Sequence, residues 1–442
     1  MAKITLETRQ IGGGIVILSG VAMVASALLI NPWVARITQG PAVVDFVDVL
    51  RSYFWWALGL GVVTIALGRK VARGKSWADG ASMFFLLTAM FVLGDRWLLT
   101  KLGLTVWEYD PELHYVHRPG AVRTLTSAGR PEDLIRIDSH GFHDDEFPRE
   151  KPSGELRGLM LGDSVTMGFG VTYAETFSQK LEDLLDARDA RYGSHQVINA
   201  GVHGYSTYQE RLTLERNLDL QPDFVALAFC MNDVTEPFVV NTEYGGTGLD
   251  YHGVSQTPNP VSGWLANETG FGRLLQKLKE RGKSVEEYKR LEIYNTRQMA
   301  QESRTNPRYQ EAWTIVLAEL EKLYAEVKAK ELPFVLMILP YTYQLNDPST
   351  RVPQEILIEH AKQHGVDTID FTPVFAELIY QEQDVVRLLQ DQGKTPEEIM
   401  QFFGWRIGEY FFDEDHFKEA GNELVAEGLY GWLEQKGMVG GK

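Results

Sequence analysis

Between Gln10 and Ala35 no residue carries a charge, and Ile11–Ile30 is almost wholly apolar or small. About 20 such residues at ~1.5 Å each match a hydrocarbon core of roughly 30 Å, so this stretch is expected to cross a bilayer. A cleaved signal peptide is the alternative, and Val24-Ala25-Ser26-Ala27 can mimic its small-residue site. Its apolar region is normally shorter, about 7–15 residues. Two further apolar stretches favour an anchor: Ser52–Gly68, opening on Phe54, Trp55 and Trp56, and one from Trp77 to Leu99 with Asp79 and Asp95-Arg96 near its ends. Aromatic residues at one end fit an interfacial belt. The expected spans are 11–31, 52–69 and 78–99 within an all-α anchor of residues 1–104.

Charge divides the chain in the same place. Residues 1–104 hold ten basic and five acidic side chains, net +5; the whole chain is −17, which leaves −22 for residues 105–442. The mean hydropathy of −0.19 averages over these unlike parts. An acidic body with no Lys/Arg-rich run excludes nucleic acid as an expected partner, because phosphate binding needs clustered cations. Four cations in Arg69–Lys75, together with Lys3 and Arg9, place that loop and the N-terminus on the cytoplasmic side. With three spans the body is then expected outside the cytoplasm, at the plasma (inner) membrane. The single cysteine, Cys230, permits no intrachain disulfide.

Residues 105–155 show no sustained period and read as a connecting segment of short strands and loops. His114, His117, His140 and His143 lie there, but nothing in the pattern aims them at one ion, so no metal site is expected. From Leu156 onward, short apolar runs alternate with amphipathic helices. Gly158–Leu161, Val197-Ile198, Phe224–Phe229, Phe334–Leu339 and Asp367–Asp370 read as about five parallel strands. The implied fold is α/β, with three layers, helices covering both faces of the sheet. Two stretches interrupt the rhythm, at about 236–306 and 383–412, and read as insertions in a domain of residues 156–437. A connection as long as the first exceeds what the fold needs, so lid or substrate-binding duty is weighed against a plain surface insertion.

Four short motifs carry chemistry. Gly162-Asp163-Ser164 follows the first strand, where a serine in a Gly-rich strand-to-helix turn is exposed at the sheet's ligand-binding edge. Asn199-Ala200-Gly201 follows the second, and Cys230-Met231-Asn232-Asp233 the third. Asp413-Glu414-Asp415-His416 precedes a terminal amphipathic helix over Phe417–Gln435. Separately these read as an N-cap, a turn glycine, an Asx turn and an exposed histidine. Together they supply a nucleophile, oxyanion donors and a carboxylate-oriented base, which acyl transfer requires.

Their order and spacing resemble the SGNH (GDSL) hydrolase superfamily over roughly residues 156–436. The resemblance implies a flavodoxin-like α/β/α fold and a catalytic triad of Ser164, His416 and Asp413. It further implies an oxyanion hole built from the Ser164 N–H, the Gly201 N–H and the Asn232 side chain. Cys230 stands where the family usually has glycine. As a buried cysteine after a strand it reads as a small apolar residue rather than a second nucleophile. No metal or organic cofactor is implied. The expected activity is a membrane-anchored serine esterase acting on O-acyl, including O-acetyl, esters of a polysaccharide or lipid. Two alternatives stand beside it: an O-acyltransferase modifying an extracytoplasmic glycan with a multi-span membrane partner, and an inactive domain serving as a subunit of a membrane complex.

Overall fold

The computed structural model describes residues 2–29, 47–73, 88, 90–99, 106–124, 134–238, 250–251, 254–255, 260–280, 285–380 and 392–440. Its contacts cluster into two units. One comprises residues 1–105 and 248–287; the other comprises 106–247 and 288–442.

The larger unit is built on five strands: β1 (Glu155–Gly162), β2 (Ser194–Asn199), β3 (Phe224–Phe229), β4 (Phe334–Ile338) and β5 (Asp367–Asp370). All neighbours pair in parallel, in the order β2-β1-β3-β4-β5. Every residue of β1, β3 and β4 is buried, whereas the edge strands β2 and β5 are not buried throughout. That is why β3, β4 and the Gly158–Leu161 part of β1 read as apolar runs, both of their faces being covered; Glu155 and Arg157 at the start of β1 are buried as an ion pair at 2.7 Å. Helices Phe177–Arg188 and Glu419–Gln435 pack on one another, and helices Thr207–Asn217, Pro307–Ala329 and Val352–His364 form a second group. The order reverses between β1 and β3, so the crevice at their carboxyl ends is the expected ligand site.

Two antiparallel pairs precede β1, Trp107–Asp110 with His114–His117 and Val122–Thr124 with Leu134–Arg136. The first is stapled to the loop after β2. Tyr205 Oη donates to the Tyr115 carbonyl (2.6 Å), and Tyr115 Oη donates to the His203 carbonyl (2.8 Å). The histidines expected in loops are therefore partly elsewhere. His114 and His117 end a strand, and His117 and His143 are buried.

In the smaller unit, helices Ala2–Leu29 and Val47–Ala72 run antiparallel along a glycine seam. A Cβ at Gly13, Gly20, Gly61 or Gly68 would come within 2.7–2.8 Å of the opposite helix. Each pair is seven residues apart, so both glycines lie on one stripe and the backbones approach closely. Among the described residues, one helix, Phe54–Ala72, is long and apolar enough to cross a membrane; Gly13–Ala25 is a shorter apolar helix. Half of the third expected span, 78–99, lies outside the described residues. Its end packs on the second helix, with Gly94 against the Trp56 ring. Part of the expected 236–306 insertion also belongs here: residues 248–287 cluster with the N-terminal unit rather than with the sheet. The tie is concrete, since the Phe271 N–H donates to the Asp95 carboxylate at 3.0 Å.

Candidate active site

β1 ends at Gly162, where the chain must turn sharply into the short helix Ser164–Met167. A Cβ at Gly162 would lie 2.0 Å from Thr166 Oγ1, and its φ of +151° disfavours any side chain. Asp163 caps the helix, its carboxylate accepting from the Val165 N–H at 2.9 Å. Ser164 thus takes the first helical position, where helix geometry leaves N–H groups without an intrahelical acceptor.

His416 reaches this serine from the other end of the chain. Its Nε2 lies 2.8 Å from Ser164 Oγ, and its Nδ1 lies 2.8 Å from Asp413 Oδ1. The loop that holds it is closed by an antiparallel bridge between Phe411 and Phe417 and by the Phe412 N–H donating to the His416 carbonyl (2.7 Å). Asp413 Oδ1 also accepts from the His416 N–H (3.0 Å), so one carboxylate orients both backbone and ring. The structure brings the three expected triad residues into a continuous Ser164–His416–Asp413 chain.

A second carboxylate was not legible in the sequence. Asp415 Oδ1 stands 3.2 Å from the same Nδ1. Burial of the His416 ring lowers its pKa, but the Asp415 and Asp413 charges outweigh that and hold it well above the ordinary histidine range. Glu292, on helix Val285–Glu302, adds a third. Burial and the nearby Asp415 push its carboxyl up to about 7, and Tyr341 Oη donates to it at 3.1 Å.

The two expected oxyanion donors outside the nucleophile helix stand differently. Asn232 Nδ2 donates to Asp163 Oδ2 at 2.8 Å, which fixes the amide beside the Ser164 turn. The Gly201 N–H donates to Asn199 Oδ1 at 3.1 Å. Gly201 is nonetheless pressed against the nucleophile helix, since a Cβ there would lie 2.4 Å from the Met167 nitrogen. Asn199 is the junction that sequence reasoning missed. Its Nδ2 donates to the Thr166 carbonyl (2.8 Å), and its backbone N–H donates to Asp144 Oδ2 (3.0 Å). Asp144, also held by Tyr173 Oη, is pushed up to about 8 by burial. His143 Nδ1 lies 2.6 Å from the Met167 carbonyl, so it supports the end of the nucleophile helix.

Cys230 is fully buried, and burial together with the surrounding carboxylates raises its thiol pKa well above the usual value, which keeps it protonated. An aromatic wall flanks the histidine: the Phe169 ring sits 4.7 Å from His416 and stacks on His203 at 5.4 Å. Among the described residues two clusters have metal-type donors close together. Asp413, Asp415 and His416 are the triad region itself. Glu321, His360 and His364 meet where two helices pack near the amino end of β5, the opposite edge of the sheet from Ser164.

A parallel β2-β1-β3-β4-β5 sheet carrying a Ser–His–Asp chain at its carboxyl edge defines a serine hydrolase of the SGNH fold. Residues 160–424 match the GDSL-like Lipase/Acylhydrolase family, and the chain belongs to it. It is accordingly a serine ester hydrolase. None of the curated proteins compared with it matches the chain. Among solved structures it is similar to a catalytic mutant of an acetylxylan esterase from Geobacillus stearothermophilus, with 14% identity over 63% of this chain and 93% of that one, TM-score 0.34. It is also similar to the acetyl xylan esterase AlAXEase (15%, 63% and 100%, TM-score 0.35). A lipase/acylhydrolase from Enterococcus faecalis is a third (14%, 64% and 96%, TM-score 0.34). Likenesses this distant carry no argument about substrate.

Proposed function

We propose that the chain is a membrane-anchored esterase whose catalytic unit lies outside the cytoplasm, where it removes O-acyl groups, acetyl included, from a polysaccharide or lipid. The observation that carries the catalytic part is the 2.8 Å contact between Ser164 Oγ and His416 Nε2, with Asp413 on the far side of the ring. In this reading neutral His416 takes the Ser164 proton as Oγ attacks the ester carbonyl. The carbonyl oxygen becomes an oxyanion, held by the Ser164 N–H, the Asn232 amide and the Gly201 N–H. The last of these turns from Asn199 Oδ1 toward the intermediate. His416 then gives its proton to the leaving alcohol, and an acyl-serine remains. Water repeats the sequence: His416 takes its proton, the acid departs, and Ser164 is regenerated. Asp415 and Glu292 raise the basicity of His416, so the reading places full activity on the alkaline side.

Anchoring is supported by the apolar helix Phe54–Ala72 and its glycine seam with the first helix. The basic run Arg69–Lys75 supports a cytoplasmic loop, and hence a catalytic unit on the opposite side if the third segment also spans. Labelling with a serine-directed fluorophosphonate tests the catalytic part. Wild type should label and Ser164→Ala should not; a folded wild type that stays unlabelled sinks the reading. A reporter fused after Lys442 tests the topology, and activity confined to the cytoplasm would overturn it.

A further inference from the structure

We propose that the helical pair Pro260–Glu268 and Gly270–Glu280 lies on an anionic lipid surface and gives the chain a second membrane attachment, an inference that rests on the N-terminal helices being an anchor. The pair belongs to the same compact unit as those helices, although it is inserted between β3 and β4 in sequence. It is locked onto residues 95–99. The Phe271 N–H donates to Asp95, and a Cβ at Gly270 would lie 2.3 Å from the Asp95 carbonyl oxygen. The two helices meet at an equally tight corner, because a Cβ at Gly272 would lie 2.2 Å from the Leu265 carbonyl oxygen.

What this corner presents outward is apolar. Trp264 and Leu265 are 52% and 51% exposed, and Leu275 is exposed beside buried Leu274. The helix to which the pair is tied also exposes apolar side chains, Met90, Val92, Leu93 and Trp97. Exposed apolar residues on an anchor helix and on the pair docked against it have lipid as their fitting occupant, and a tryptophan such as Trp264 suits the headgroup level.

The sequence of the pair separates in the way an interfacial segment does. Pro260–Asn267 is uncharged, and Thr269–Lys279 holds three cations and no anion, although residues 105–442 as a whole are −22. Phe271, Leu274, Leu275 and Leu278 recur at helical spacing; Arg273, on the other face, is buried, so Lys277 and Lys279 carry the segment's basic character. A basic amphipathic helix of this kind is drawn to anionic headgroups while its apolar face enters the acyl boundary. The 236–306 stretch, weighed from sequence as a lid, is by this account partly a membrane contact.

The test uses the full chain in lipid nanodiscs with a nitroxide at Trp264→Cys and, in a separate variant, at Val62→Cys on the anchor helix. Cys230 is fully buried, and wild type carried through the same labelling is the control for its reactivity. Retained hydrolysis of an aryl acetate shows that each variant is folded. In discs containing phosphatidylglycerol, both labels should be relaxed by oxygen and lose relaxation by a water-soluble nickel chelate. Lys277→Glu with Lys279→Glu should restore nickel access at 264 and leave 62 unchanged. Nickel access at 264 with lipid exposure at 62 would overturn this inference and leave the anchor standing. Nickel access at 62 would overturn the anchor and this inference with it. Lipid exposure at 264 that is the same in phosphatidylcholine discs and in the double-Glu variant would overturn the anionic surface.

Discussion

Asp415 stands 3.2 Å from His416 Nδ1, the ring nitrogen that Asp413 already holds at 2.8 Å. Two carboxylates on one nitrogen separate two duties that a single aspartate usually combines. Asp413, which also accepts the His416 backbone N–H, sets the ring's orientation. Asp415 adds charge. A His416 pKa held above the ordinary range means that the neutral, base-competent ring accumulates only as pH rises through that raised value. The acid limb of kcat/KM is therefore expected above the ordinary histidine pKa of about 6.5. Asp415→Asn should move the limb to lower pH with kcat at alkaline pH largely kept. Asp413→Asn should cost roughly 10²–10⁴ in kcat at all pH values. A limb unmoved by Asp415→Asn would remove Asp415 from this role.

Glu292 acts at longer range on the same ring. Its carboxyl titrates at about 7, so its charge appears near neutrality and further favours the imidazolium. Glu292→Gln is expected to lower the apparent pKa of the acid limb and to simplify a two-ionisation profile to one. The check is kcat/KM from pH 5 to pH 10 for both proteins; identical profiles would show that Glu292 does not face His416 in solution.

Gly201 is expected to tolerate no side chain. A Cβ 2.4 Å from the Met167 nitrogen must push the loop after β2 away from the nucleophile helix. A displacement of about 1 Å at an oriented site costs on the order of 10²-fold in rate. Gly201→Ala should accordingly lose about that much kcat with the fold intact by circular dichroism. Undiminished turnover would place Gly201 outside the catalytic geometry.

Asp144 gives a stability signature. Burial raises its folded pKa to about 8 from an ordinary value of 3.8, so the folded state holds the proton more tightly than the unfolded chain. This contribution is fully present below about pH 3.8 and is lost as pH rises through about 8. Asp144→Asn keeps the shape and removes the ionisation. The fall in melting temperature between pH 5 and pH 9 should therefore be shallower in the variant. Parallel melting curves would mean that Asp144 is not buried in its protonated form.

The sequence alone determined the parts whose signals are local. β3, β4 and the Gly158–Leu161 part of β1 were legible because a strand buried on both faces is an apolar run, while the buried Glu155–Arg157 pair hid the start of β1. Ser164 and the Asp413–His416 pair were legible because a strand-to-helix turn and an Asp three residues before a His are short patterns. The first two helices announced themselves by the length of uncharged chain. What the tertiary structure decided is partnership. Ser164 and His416 are 252 residues apart, Asp144 and Asn199 are 55 apart, and Asp95 and Phe271 are 176 apart. Asp415 and Glu292 look in sequence like ordinary members of an acidic surface, and Asn199 like the end of a strand. The physical reason is that apolar burial, which shapes the readable pattern, is non-directional. It states that a face will be covered and not by what. The hydrogen bonds that tie Asn199 to Asp144, or part of an insertion to the N-terminal unit, exist only once the packed chain has brought their ends together.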